Sequence, residues 1–323
     1  MIVVSREDVA RHLDYPTCIA LVRAAMIALS KGETRQMLRS ILDLESGDMF
    51  GLMPGAMRGT VGAKLITVYP RNFALGIASH QGAILLFDRE SGAPAALIEA
   101  GEVTAIRTAA ASAAATDVMA RADARTLAIL GYGEQAWRHA LAIAHVRPIE
   151  HVQIWGRNPA MAEAFAARVA SRLAIPATAA ASVEAAVAGA DIICTTTAAS
   201  EPILFADQVA DGTHLNVVGS SRAGPAEIDN ALVARARFIA DHREGILAQG
   251  AEFLRARAAG LVDDDHVVGE IGEVFSGAKP GRETAAQVTI YKSIGSVVQD
   301  LACAEWLCHS GAARGFGQPV PFD

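Results

Sequence analysis

The sequence predicts an α/β protein with a doubly wound parallel sheet and a separate α+β part. Three observations carry that expectation. From Thr126 onward, strand-length apolar runs alternate with helix-length segments: "TLAIL", "HVQIW", "ADIICTTT", "THLNVVG" and "RFIAD", each ending in polar or glycine residues. Such alternation marks βαβ units, whose helices cover both faces of a parallel sheet. Between Met37 and Ala100 the rhythm differs, with short β-like runs broken by Gly, Pro, Asn and Asp. The chain of 323 residues also suits two domains of about 150 residues each.

The elements follow in order. "SREDVARHLDYPTCIALVRAAMIALSKGE" predicts two helices. Ser5 and Asp8 form a capping box; Asp14, Tyr15 and Pro16 restart the helix, and Gly32 ends it. Ile19, Val22, Ala25, Met26 and Leu29 keep helical spacing. "MLRSILDL", "MFGLMPGAM", "VGAKLITVYP", "GAILLFD" and "PAALIEA" read as strands of one mostly antiparallel sheet, with "DRESGAP" as a hairpin connection. "GEVTAIRTAAASAAATDVMAR" is a long alanine-rich helix. Asn158 and Pro159 begin the helix after "HVQIW", and "QVTIYKSIGSVVQDLACAEWLCHSG" is a strand and a closing helix.

Composition excludes several classes. The net charge is −7 with no basic run, which argues against nucleic acid. Cysteines at 18, 194, 303 and 308 form no CxxC pair, so buried free thiols in a reducing compartment are expected. "MIVVSREDVARHL" lacks a signal core, and no uncharged apolar run reaches about 18 residues. A cytoplasmic protein without membrane contact is the expectation. The acidic loop "VDDDH" at 262–266 is not read as a metal site, and no metal is predicted.

One motif carries chemistry by itself. "LAILGYGEQAWRH" places G-x-G-x-x-A between a strand and a helix. Gly131 suits the tight turn, Gly133 lets backbone N–H groups approach a pyrophosphate, and Ala136 is small enough for close helix–strand packing. This is a Rossmann-type dinucleotide cradle. The ribose selector then falls at "IWGRNP", where Gly156, Arg157 and Asn158 stand in place of the Asp or Glu that favours NAD. Arg157 either pairs with a 2′-phosphate, stacks on adenine or lies in solvent. The missing carboxylate tilts the expectation toward NADPH over NADH.

"GAKLITVYP", "SHQGAILLFDRESG", "TAIRTAAASAAAT", "ILGYGEQAWRH", "GADIICTTTAASEPIL", "LNVVGSSR" and "YKSIGSVVQD" occur in the order of the ornithine cyclodeaminase/mu-crystallin family, which the chain resembles over nearly its whole length. In character it is closest to the ketimine and imino-acid reductases. The resemblance implies an NAD(P)H cofactor facing a small 2-amino or 2-imino carboxylate. It implies a split substrate and dimerisation domain, 1–118 with 293–323, around a dinucleotide domain at 119–292, and a homodimer formed through the split domain. Arg39 and Arg107 match carboxylate-binding arginines, and Lys64 an active-site lysine. His80 and Gln81 match a segment beside the substrate. Gly131, Tyr132, Gly133, Glu134 and Gln135 match the pyrophosphate loop. Thr196 and Val218 match strand-end contacts to the cofactor, and Ser293 a C-terminal contact near the nicotinamide end.

Physical chemistry is compatible with these roles, since an arginine offers a planar fork to a carboxylate. The residues alone leave other readings open: Lys64 on a solvated strand face, Arg107 on a helix surface, Arg39 pointing to water, His80 as a structural residue. A departure bears on the reaction. Cyclodeaminases and alanine dehydrogenases of the family carry an acid where Ser221 stands in "VVGSSRAGPAEID". Serine is no general base at neutral pH without an activating partner. The expected activity is therefore hydride reduction of a preformed imine, cyclic (such as pyrroline-2-carboxylate) or acyclic (such as iminosuccinate), to an L-amino acid. Lys64, Arg107 and Ser221 are the expected catalytic residues. The alternatives are an alanine-type dehydrogenase, a crystallin-like NADPH-binding protein without turnover, and a cyclodeaminase.

Overall fold

The computed structural model describes residues 1–322. In chain order the elements are β1 (Ile2–Val4), α1 (Arg6–His12), α2 (Tyr15–Ser30), β2 (Arg35–Gln36), β3 (Ser40–Asp43), β4 (Met49–Ala56), β5 (Thr60–Val68), β6 (His80–Asp88), β7 (Pro94–Glu99) and α3 (Ala100–Met119). There follow β8 (Thr126–Leu130), α4 (Glu134–Ile143), β9 (His151–Trp155), α5 (Pro159–Leu173), β10 (Ala177–Ala179), α6 (Val183–Val187), β11 (Ile192–Thr195) and β12 (His214–Val217). The chain closes with α7 (Asn230–Arg235), β13 (Arg237–Ala240), α8 (Arg243–Gln249), α9 (Ala251–Ala258), β14 (Val267–Glu270), α10 (Ile271–Phe275), β15 (Thr289–Lys292), α11 (Val297–Arg314) and β16 (Gln318–Pro319).

Local chemistry sets the helix starts. Ser5 and Asp8 form the expected capping box, and Asp14 caps α2 by accepting from Thr17 N–H at 2.8 Å. Asn158 caps α5 ahead of Pro159. Five strands escape the sequence reading. β1, β2, β10, β14 and β16 are two to four residues long, too short for alternation to register. Arg39 lies in the gap between β2 and β3, not within a strand as "MLRSILDL" suggested.

The chain forms two compact units, Met1–Arg107 with Ser296–Asp323, and Thr108–Gly295. The first break falls inside α3 and not after residue 118. Every residue of α3 from Ala109 to Thr116 is essentially fully buried, and an alanine-rich sequence carries no signal of where its packing partners change. Cys18, Cys194 and Cys303 are buried free thiols, and Cys308 is partly exposed.

The first unit holds an eight-stranded sheet ordered β16-β1-β7-β6-β5-β4-β2, with β3 on β4. It is antiparallel except for β1 on β7. α11 packs on one face. A Cβ at Gly55 would stand 2.7 Å from Val297, and one at Gly62 would stand 3.1 Å from Leu301. The two glycines therefore let α11 lie close against the strand pair β4–β5.

The second unit is an eight-stranded, all-parallel sheet ordered β10-β9-β8-β11-β12-β15-β13-β14. The chain runs outward from β8 to β10, then returns to β11 on the other side of β8. That reversal puts a topological switch point at the carboxyl ends of β8 and β11, where open α/β sheets bind ligands. The core is apolar, built on Ile193, Leu215, Val217, Phe238 and Ile290. Among the described residues, no single helix is long and apolar enough to cross a membrane.

Candidate functional site

In the first unit the chemistry centres on a carboxylate that the sequence reading did not single out. Lys64 lies mid-β5 on the face toward α11, and is 2% exposed. Its ammonium reaches both carboxylate oxygens of Asp300 at 3.0 Å and the Thr104 hydroxyl at 3.3 Å. Arg107 donates from Nε to the same carboxylate at 3.0 Å and from Nη1 to Gln299 at 2.9 Å. Neither cation lies on a solvated surface.

The charge count stays positive. Lys64 and Arg107 contribute +2 against −1 from Asp300, leaving +1 before Arg39 is added. Burial lowers the Lys64 ammonium most, Asp300 opposes that, Arg107 and Arg39 add to it, and the result is about 7. Burial works to raise Asp300, but Arg107 and Lys64 outweigh it and hold the carboxyl below its ordinary range. The imidazole of His80 is lowered by desolvation, then by the charges of Lys64 and Arg39. Arg39, Lys64, His80 and Arg107 thus share one electrostatic environment.

Register separates Gln81 from that group. His80 pairs with Val68 and Gln81 with Thr67. Side chains alternate along a strand, so His80 shares the Lys64 face and Gln81 takes the opposite one. "SHQ" as a block therefore does not converge on Lys64.

The second unit builds the dinucleotide cradle at its switch point. Gly131 sits at φ +127°, and its N–H donates to Trp155 O at 2.8 Å. A Cβ there would lie 2.8 Å from the Thr196 hydroxyl, so only glycine lets the two strand ends approach this closely. Gly133 begins α4 with no side-chain cap, and a Cβ would meet nothing within 4 Å. The first N–H groups of α4 are therefore left for an external acceptor. Glu134 would repel an anion there, but Arg138 takes its carboxylate at 2.6 Å.

Two further polar atoms are consistent with a bound partner. Gln135 Oε1 and Ser293 Oγ are buried with no hydrogen-bond partner among the described residues. Both belong to the residue set expected from the sequence to touch a dinucleotide. The Thr196 hydroxyl donates to Leu130 O at 3.0 Å, and Val218 N–H donates to Thr195 O at 3.1 Å. Arg157 is exposed, whereas Asn158 Oδ1 is occupied with the Met161 N–H of α5.

Glu227 organises the strand ends and was also missed by the sequence reading. Fully buried, it accepts from the Thr195 hydroxyl, Thr197 N–H, the Thr197 hydroxyl and Gly219 N–H, all within 2.6–2.7 Å. Burial raises its carboxyl, against those hydrogen bonds. Lys292 donates to Ser220 O at 2.7 Å and pairs with buried Glu252 at 2.7 Å. Together these groups hold Thr195 and Thr197 on either side of Thr196, and Gly219 and Ser220 between Val218 and Ser221. The acid was visible in "GPAEID", but nothing in its spacing showed that it folds back on strand ends 8 and 32 residues away.

Comparisons with known proteins add to this geometry. The family model described as "Ornithine cyclodeaminase/mu-crystallin family" matches residues 1–313. A Delta(1)-pyrroline-2-carboxylate reductase of Bacillus cereus is 33% identical over 326 residues, covering all of both chains. The ketimine reductase mu-crystallin of Mus musculus is 35% identical over 308 residues, covering 93% of this chain and 94% of its own. The structure of Thermococcus litoralis Delta(1)-pyrroline-2-carboxylate reductase with NADH and L-proline superposes with a TM-score of 0.96 at 31% identity. It covers 99% of this chain and 100% of its own.

Proposed function

The chain belongs to the ornithine cyclodeaminase/mu-crystallin family, and on that premise we propose that it reduces a small 2-imino carboxylate with a nicotinamide cofactor. The observation that carries the proposal is the buried cluster of Lys64, Arg107 and Asp300, in which two cations share one carboxylate. The relatives named for pyrroline-2-carboxylate and ketimine reduction favour a cyclic ketimine as substrate.

When bound, the cofactor supplies a hydride to the imine carbon. Gly131, Gly133, Gln135, Thr196, Val218 and Ser293 are the residues that would hold it, and the selector residues favour NADPH. Arg39 and the donors of Arg107 not directed at Asp300 or Gln299 receive the substrate carboxylate. Lys64, at about 7, gives up a proton at neutral pH far more readily than an ordinary lysine, and it is assigned to protonate nitrogen. Asp300 orients both cations. The role left for Ser221 is a hydrogen bond to the imine nitrogen or to a bound water. A hydride on carbon and a proton on nitrogen give the amino acid.

A homodimer through the first unit is part of the same reading. Leu42 and Phe50 pair across β3 and β4, Leu52 follows on the same face, and their exposures are 61%, 36% and 38%. That face is opposite the one covered by α11. An apolar sheet face of this kind suits burial against a second copy.

The test is a panel of cyclic, acyclic and dicarboxylic imino acids, each assayed with NADH and NADPH separately. Turnover of a cyclic ketimine is expected. No turnover across the panel overturns the reductase. Ammonia release from alanine would indicate the dehydrogenase, proline formation from ornithine the cyclodeaminase, and tight NADPH binding without turnover a binding protein.

A further inference from the structure

The ribose selector of this chain is not simply missing its acid. Gly156 is buried, and an ideal Cβ built on it would overlap the Cδ1 and Cε1 atoms of Tyr132. The cause is local. The Gly131 N–H bond to Trp155 O ties the turn after β8 to the end of β9. The next residue, Tyr132, is thereby delivered onto the backbone of Gly156. An NAD-selective fold places a carboxylate at the end of this second strand, where it binds the ribose 2′-hydroxyl and repels a 2′-phosphate. Here an aromatic ring occupies the space into which such a side chain would grow.

The geometry points to Tyr132 as a specificity-determining residue: its ring excludes any side chain at position 156 and leaves Arg157 as the group that meets the 2′ position. The inference deepens the proposed function and rests on it, since it concerns how the same cradle chooses its dinucleotide. Asn158 is already engaged in capping α5, and Gly156 has no side chain. Of the three selector residues, only exposed Arg157 offers a charge, and that charge suits a 2′-phosphate. A side chain at 156 is accommodated only if the Tyr132 ring moves away. The two positions are therefore energetically coupled.

Calorimetric titration of NADPH and NADH into the full chain tests this, with a thermal melt on every variant. The wild type is expected to bind NADPH at least tenfold more tightly than NADH. Gly156→Asp should weaken both dinucleotides at least tenfold. Adding Tyr132→Ala to it should restore NADH binding at least tenfold without restoring NADPH. Gly156→Ala is the milder probe for a chain that the aspartate unfolds: it should weaken NADPH, and Tyr132→Ala should rescue it. NADH binding to Gly156→Asp as tight as to the wild type overturns the inference, as does an alanine pair that is no better than Gly156→Ala. A wild type that prefers NADH overturns it too but leaves a dinucleotide enzyme standing. A wild type that binds neither dinucleotide sinks the proposed function itself.

Discussion

Lys64 sits in the middle of an apolar β-strand, and its charge survives there because Asp300 and Thr104 take its three donors. If the ammonium is the form that works, kcat/KM should fall as pH rises through about 7. Lys64→Arg, which cannot titrate in that range, should abolish this limb in a pH–rate profile. Lys64→Ala should lower kcat/KM by about 100-fold or more, the usual scale of proton-transfer assistance; a fully active variant would remove Lys64 from the site. Asp300 raises the Lys64 value, so Asp300→Asn should move the limb to lower pH. Lys64 and Arg107 could be singled out because each sits in a segment that carries the family resemblance. Asp300 was not, although "YKSIGSVVQD" was in view, because its partners lie 236 and 193 residues away. A salt bridge that spans the chain leaves no local pattern.

At the scale of elements, the strand–turn–helix of the cradle was readable because its requirements are local: an apolar strand, two glycines and a helix start. The two glycines nonetheless do different things. Gly131→Ala forces a side chain into a positive-φ position against Thr196, and should cost about 1–3 kcal/mol of stability together with dinucleotide affinity. Gly133→Ala meets open space at φ −86°, so the melting temperature should barely move. It should still weaken dinucleotide binding, because the methyl stands where a pyrophosphate must approach the α4 amides. A melt and a titration on both variants separate the roles. Equal effects of the two substitutions on stability would refute the distinction. The β-region was harder to read, and the reason is register. "SHQ" looks like a unit in sequence, but the period of two sends His80 and Gln81 to opposite faces.

For the whole molecule, two buried imidazoles in the second unit set a limit on acid stability. His139 bridges Gln135 O and the Ser112 hydroxyl, and burial pushes it down to about 4. His214 contacts the Thr289 hydroxyl and is pushed down to about 3. Both folded values lie below the ordinary 6.5, so the unfolded chain takes up these protons first. Their contribution is complete above pH 6.5 and is lost as pH falls toward 4 and 3. The expected slope is about 1.4 kcal/mol per pH unit for each. Denaturant melts across that range should show it, and His139→Gln should flatten the curve. A variant whose pH dependence matches the wild type would refute the assignment. The dimer is tested at the same scale: Leu42→Lys should lower the mass measured by light scattering from two chains to one. A dimer that persists would move the interface elsewhere.

The first unit is also discontinuous, completed only by the segment that begins at Ser296. During synthesis Lys64 and Arg107 emerge long before Asp300, with the whole parallel-sheet unit made in between. Neither cation can be buried at its final site until α11 arrives, since an unpaired charge in that strand would be too costly. The middle of the chain is therefore free to fold first, and the buried charge cluster around Asp300 is assembled last. A released chain truncated after Gly295 should bind dinucleotide while its N-terminal segment is still open to protease.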